Sequence, residues 1–459
     1  MNRKERRLQQ KRDRARGAGA APVALQQQAT SLYEAGRFAE ALRVCRKLLA
    51  AAPGRPDIHG FAGMAALKAG DDAEAVEQYR RAVALRPDYA EAHYNLGNAL
   101  KNLDRLDDAA QAYRTAAGIR PDLGQPHHNL GSVLQSLERY EDAAAAYRRA
   151  LEIMPEAAES QRNLGMVLQR LGRVDEAEAA FRRAIDIKPD WFLLYNNLVT
   201  ALLEKNEPAA AVAACDEWLA HAPGDTEALA FKCVALNEAG DQDRLGELLD
   251  FDRFVHTTRV EPPPGYDGLA GFNAALATHV CSHPTLKVPP EDDPRYHHPR
   301  LQITNELLVE PKGPIADLEQ AIHGAIEDYR RAVSAGPEHP FLAAWPARWR
   351  LTSWSVVLDG QGNLVPHIHM DGYLGGVYYV ELPDVVDAGE DDDDGRRPGW
   401  FELGRSPLEL QKVAAPQVRA IKPEEGLMLL FPSYFYHGTV PFESAQRRIS
   451  IAFDVVPEG

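Results

Sequence analysis

The stretch Pro366-His367-Ile368-His369-Met370-Asp371-Gly372 sets two imidazoles and a carboxylate at alternate positions, directly before the apolar run Tyr373-Leu374-Gly375-Gly376-Val377-Tyr378-Tyr379-Val380. Side chains alternate between faces along an extended chain, so His367, His369 and Asp371 share a face if the stretch is extended. A third imidazole, His437, follows in Phe431-Pro432-Ser433-Tyr434-Phe435-Tyr436-His437-Gly438, and Arg448-Ile449-Ser450 begins eleven residues after it. Two imidazoles and one carboxylate gripping one side of an ion leave the other side open, a coordination that suits reactive Fe(II). An arginine on a neighbouring strand holds a carboxylate through two parallel hydrogen bonds. Arg448 is the candidate for that role, with Ser450 on the same strand face and Arg447 turned away. A lone His-x-His often belongs to a core with both ring nitrogens satisfied. The joint presence of His-x-His-x-Asp, the distant His437 and the Arg448–Ser450 pair is what carries the metal reading. Tyr378 and Tyr379 point to opposite faces, and Tyr378 is the candidate to donate a hydrogen bond to a bound cosubstrate.

Strands must position these groups. From Trp349 the apolar pattern has period two or is continuous, and it predicts strands at 350–358, 374–382, 417–421, 427–431 and 447–456. Helices are expected at 267–283 and 314–335, the second with Ile315, Leu318, Ile322, Ile326, Tyr329 and Val333 at helical spacing. Many strands after a pair of helices point to a double-sheet jelly roll with helical support. The Pro- and His-rich stretch from Pro289 to Pro299 reads as a surface loop, because adjacent His297 and His298 face opposite ways in an extended segment. The insert Asp391-Asp392-Asp393-Asp394-Gly395-Arg396-Arg397 reads as a solvated loop.

Upstream the chain is organised differently. Pro53, Pro87, Pro121, Pro155, Pro189 and Pro223 recur every 34 residues, as do Ala41, Ala75, Ala109, Ala143, Ala177 and Ala211. Tyr79, Tyr113, Tyr147 and Phe181 keep the same register, and Asn95-Leu96-Gly97, Asn129-Leu130-Gly131 and Asn163-Leu164-Gly165 mark the first helix of three units. Small residues allow paired helices to approach, the aromatic fills the gap, and proline ends the second helix. Stacked repeats form a superhelix with a groove for extended peptides, and Asn95, Asn98, Lys101, Asn129, Asn163, Asn196 and Asn197 are candidates to line it. The register fades after Asn197, and Arg244-Leu245-Gly246-Glu247-Leu248-Leu249 is expected to cap the array.

These readings divide the 459 residues into a basic disordered arm (1–24), an all-α repeat solenoid (25–250), a proline-rich linker (251–266) and a β-rich domain (267–459). A net charge of −16 argues against nucleic acid or an anionic membrane as the partner of the whole chain. No apolar run reaches bilayer-spanning length, and Cys45, Cys215, Cys233 and Cys281 form no Cys-x-x-Cys pair, which points to a reduced, cytoplasmic setting.

The 34-residue period resembles the tetratricopeptide repeat over roughly residues 25–250. The second part, about 265–457, resembles the 2-oxoglutarate- and Fe(II)-dependent oxygenases often joined to such repeats. Ser353-Trp354-Ser355-Val356, Pro366-His367-Ile368-His369, Gly375-Gly376-Val377-Tyr378-Tyr379-Val380, Gly426 to Ser433, His437 and Arg448 to Phe453 carry the likeness. The resemblance implies a double-stranded β-helix, Fe(II), 2-oxoglutarate and a dioxygenase reaction such as hydroxylation. The repeats would bind a protein or peptide. Two ligand sets remain open. The superfamily pattern His-x-Asp…His maps onto His369, Asp371 and His437. The narrower His-x-His pattern, normally followed by proline where Met370 stands, makes His367 a ligand instead. The carboxylate set is favoured because a hard anionic oxygen suits Fe(II). A non-catalytic repeat scaffold with a degenerate oxygenase fold, and a cupin-type metalloenzyme without cosubstrate, are the competing readings.

Overall fold

The computed structural model describes residues 23–289, 301–309, 311–333, 339–360, 364–388, 397–407, 410–411 and 414–458. Residues 1–22 of the arm, the His297–His298 pair and Asp391 to Arg396 lie outside these residues. Two compact units divide between Pro189 and Asp190.

The first unit is helical throughout: α1 (23–34), α2 (Phe38–Ala51), α3 (Pro56–Lys68), α4 (Asp72–Leu85), α5 (Ala90–Asn102), α6 (Leu106–Ile119), α7 (Gly124–Ser136), α8 (Tyr140–Ile153), α9 (Ala158–Arg170) and α10 (Val174–Ile187). Each second helix ends two residues before a repeat proline, which has no N–H with which to continue the ladder. The alanines in register, Ala41, Ala75, Ala109, Ala143 and Ala177, are all 0% exposed. The glycine and the aromatic of each unit meet. A Cβ on Gly97, Gly131 or Gly165 would lie 2.6, 2.8 or 2.5 Å from the ring of Tyr113, Tyr147 or Phe181. Asn129 joins neighbouring repeats by side chain, its Nδ2 donating to the Tyr94 hydroxyl at 3.2 Å and to Asn98 Oδ1 at 3.1 Å.

The second unit opens with more helices of this type: α11 (Leu193–Glu204), α12 (Pro208–His221), α13 (Thr226–Ala239) and the short α14 (Gln242–Leu248). In α11 Val199 replaces the glycine, and in α12 Cys215 stands in the aromatic position; both are 0% exposed. A larger residue against a smaller one keeps the contact filled, so the motif fades while the packing persists. The end of α14 meets the β-rich part, where the Tyr434 hydroxyl donates to the Leu248 carbonyl at 2.7 Å. Asn237 of α13 donates to the Ala415 carbonyl at 3.2 Å.

The stretch expected as linker carries structure of its own. It holds α15 (Phe251–Phe254) and β1 (His256–Arg259), and β1 pairs with a later strand. Four polar residues show no apolar alternation, so the strand is made by its partner rather than by its own sequence. Beyond it come α16 (Gly268–Cys281), β2 (Leu301–Ile303), α17 (Ile315–Val333), α18 (Pro340–Ala343), β3 (Trp349–Asp359), β4 (Leu374–Glu381), α19 (Val385–Ala388), β5 (Phe401–Leu403), β6 (Arg419–Ile421), β7 (Leu427–Pro432), β8 (His437–Thr439) and β9 (Arg447–Pro457). The sheets run β1-β7-β4-β9-β3-β2 and β6-β5-β8, with antiparallel pairings in both, the arrangement expected of a jelly roll. The apolar residues expected to bury along α17 do so, each at 1% exposure or less. Strand β4 is buried on both faces because α16 covers its outer side, where Tyr378 meets Phe272 and Asn273. Among the described residues no helix is long and apolar enough to cross a membrane.

Candidate metal centre

The chain reverses just where the candidate ligands cluster. Residues 370–371 form a turn, closed by the Gly372 N–H donating to the His369 carbonyl at 3.0 Å. The expected extended face therefore ends at His369. Asp371 sits exposed in the turn and does not join the other candidates, which corrects the expectation that it shares their face. His367 instead pairs backbone to backbone with His437, each N–H donating to the other's carbonyl at 3.0 Å. This approach needs a glycine beside it, since a Cβ on Gly438 would lie 2.6 Å from the Leu364 carbonyl oxygen.

His367, His369 and His437 converge, with one potential ligand atom from each inside a 4.8 Å group. Their ring centroids are 4.4 Å (367–437), 4.8 Å (369–437) and 5.2 Å (367–369) apart. Every Nδ1 faces an acceptor: the Val365 carbonyl at 2.8 Å for His367, the Phe435 carbonyl at 3.0 Å for His437, and Asp454 Oδ1 at 2.6 Å for His369. Acceptors of this kind place the hydrogen on Nδ1, so in the neutral rings each Nε2 carries the lone pair. The Nε2 atoms of His367 and His369 are 3.3 Å apart. Two imidazoles bound to one ion at about 2.1 Å place their nitrogens roughly 3.0–3.4 Å apart. The His367–His369 pair has the spacing of two imidazoles on one divalent ion, and His437 offers a third nitrogen within the same 4.8 Å group. Burial, reinforced by the neighbouring His367 and His369, holds His437 well below the usual histidine range, which keeps its lone pair free of a proton.

The walls are aromatic. Phe431 and Phe401 lie 4.7 and 5.7 Å from the His437 ring, and the Trp354 edge meets His369 at 5.4 Å. Trp354 thus borders the centre. Its partner across β3 and β9 is Ala452, so the face that looks at the histidines carries Arg448, Ser450, Ala452 and Asp454 by alternation. Arg448 is 3% exposed, donates to the Gly399 carbonyl, and lies 5.4 Å above the Tyr379 ring. Among the described residues no acidic side chain pairs with it. Burial lowers its pKa, opposed by Tyr379. Ser450, also buried, stands directly opposite Tyr379 in the sheet.

The two tyrosines lie on opposite faces of β4. The Tyr378 hydroxyl donates to Asn273 Oδ1 at 2.6 Å on the α16 side, away from Arg448. Tyr379 is the one beside the guanidinium, and its hydroxyl is buried. Asp454 was not among the sequence candidates, although extending the alternation from Arg448 and Ser450 by four residues reaches it. Thr226, at the start of α13, donates to the Gly372 carbonyl at 2.9 Å and so ties a repeat-type helix to the turn after His369.

Residues 352–454 match the family described as "Putative 2OG-Fe(II) oxygenase". Tetratricopeptide repeat families match residues 22–47, 63–104, 90–123 and 122–190. Among solved structures the chain is similar to MamA (25% identity over 35% of this chain and 94% of that one, TM-score 0.35). It is also similar to YrrB, described as a TPR protein with an unusual peptide-binding site (22%, 40% and 95%, TM-score 0.37). PilF of Pseudomonas aeruginosa is a third (20%, 43% and 90%, TM-score 0.34). No curated protein matches at a significant level. The chain joins tetratricopeptide repeats to an oxygenase-type domain.

Proposed function

We propose that His367, His369 and His437 hold Fe(II), that Arg448 with Ser450 and Tyr379 holds the far carboxylate of 2-oxoglutarate, and that the protein hydroxylates a protein or peptide bound by its repeats. The observation that carries this reading is the convergence of three imidazoles, each hydrogen-bonded through Nδ1 on its far side, with the Nε2 atoms of His367 and His369 3.3 Å apart. Lone pairs facing one another at such range repel unless a cation lies between them. When bound, Fe(II) and 2-oxoglutarate supply activation of dioxygen and oxidation of a C–H bond, with succinate and carbon dioxide released.

The chain's own residues orient and enclose. The Nδ1 hydrogen bonds fix each ring, and Phe401 and Phe431 keep water from one side of the centre. A buried guanidinium without an acidic partner is costly, and an anionic ligand offsets that cost. Arg448 lies four residues along β9 from Ala452, about 13 Å of strand. An arginine side chain and a small dicarboxylate together can span that interval. The Thr226 contact supports substrate delivery from the repeats, because it places α13 against the turn that follows His369. We assign residues 25–250 to partner binding and 267–459 to the oxygenase reaction.

A second reading has an observation of its own. Three neutral imidazoles without a carboxylate also suit a metalloenzyme that needs no cosubstrate. Adding 2-oxoglutarate anaerobically to the Fe(II)-loaded protein separates the two. A weak visible charge-transfer band, and slow succinate formation once air is admitted, are the expected results. Bound metal without a band favours the cosubstrate-independent enzyme, and no bound metal favours the non-catalytic scaffold.

A further inference from the structure

The proposed ligand set has no anion in it. Three neutral imidazoles would leave the full double charge of the metal in a largely buried setting, on the same sheet face as the buried cation Arg448. Taking such charge out of water is expensive unless an opposite charge lies near. Asp371, the carboxylate that the spacing offered, is exposed in its turn and stands outside the group. Asp454 is 8% exposed and lies directly behind His369, its Oδ1 2.6 Å from Nδ1.

The surroundings are shaped to this pair. Gly375 is the residue opposite Asp454 across β4 and β9, and a Cβ there would meet Asp454 Oδ1 at 3.4 Å and His369 Nδ1 at 3.6 Å. A Cβ on Gly372 would lie 3.3 Å from Asp454 Cγ and 3.4 Å from His369 Cβ. A longer side chain at either glycine would enter the space the pair occupies. His367 and His437 set Nδ1 against the Val365 and Phe435 carbonyls, whereas His369 sets Nδ1 against a carboxylate.

Resting on the proposed metal reading, we infer that Asp454 is the counter-charge of the centre. It is a carboxylate moved one layer out, acting through His369 rather than on the ion. As a positioning residue it fixes the ring and strengthens Nε2 as a donor. Its charge, and not only its hydrogen bond, sets the affinity for a divalent ion.

The test uses the full chain and Co(II) as probe, read by its visible absorption and by competition with a chelator. Asp454→Asn can keep the hydrogen bond to Nδ1–H while losing the charge, and it should weaken Co(II) binding ten- to a hundredfold. Asp454→Glu should bind more tightly than Asp454→Asn, and Asp371→Asn should match the unaltered chain. Circular dichroism and thermal unfolding establish that each variant is folded. If the amide is not accommodated, Asp454→Ser, also neutral, carries the comparison with Asp454→Glu. Unchanged affinity in a folded neutral variant overturns the inference, as does a loss confined to Asp371→Asn. If the unaltered chain binds no Co(II), the metal reading itself fails, and the inference with it.

Discussion

Replacing Arg448 with methionine should weaken the proposed binding of 2-oxoglutarate by roughly thirtyfold or more without unfolding the protein. Arg448 is 3% exposed, and among the described residues it has no acidic partner. Removing one member of a buried, hydrogen-bonded charge pair costs about 2–5 kcal/mol, roughly thirtyfold to several thousandfold in affinity. Methionine keeps most of the stem's volume, so the surrounding Phe442 and Tyr379 rings retain a neighbour. The ligand-free variant should be at least as stable as the parent, because a buried charge with no counter-ion among the described residues has been removed. Arg448→Lys should fall between the two, since it keeps the charge but loses the planar fork. Calorimetric titration of 2-oxoglutarate and a thermal melt without it measure both effects. A variant that binds normally, or one that melts far below the parent, would mean that Arg448 serves the fold rather than a cosubstrate.

The second large effect is at His437. His437→Gln should lower affinity for divalent metal by on the order of a hundredfold or more, because one of three converging donors is lost from a set whose geometry is fixed by the chain. Glutamine retains much of the volume against Phe401 and Phe431, so the fold should persist. Equilibrium dialysis of Fe(II) under anaerobic conditions, with circular dichroism as control, gives the answer. Equal effects from Asp371→Asn would point back to the carboxylate set.

Much of this arrangement is legible in the sequence, and the failures have physical causes. Gly131 and Tyr147 share one 34-residue register because one fills the space the other leaves, so the helix pairing could be read directly. Strands β3, β4, β7 and β9 are long or strongly apolar, and their limits fall within two residues of expectation. Strands β1, β5 and β8 are three or four residues long and have too few positions to show a period. The alternation rule failed at Asp371 because the chain turns at 370–371, and a turn breaks the parity on which the shared face depended. The same rule, applied along β9 where the strand does continue, leads from Arg448 to Asp454. Tyr378 and Tyr379 could not be separated by pattern, because β4 is covered on both faces and a doubly buried strand gives no inward signal.

X-ray absorption on the Fe(II)-loaded protein tests the central claim most directly, since multiple scattering from imidazole rings counts histidine ligands. The account predicts three imidazoles in the parent, three in Asp371→Ala, and two in His367→Ala. Two imidazoles and a carboxylate in the parent, with the carboxylate lost in Asp371→Ala, would contradict it.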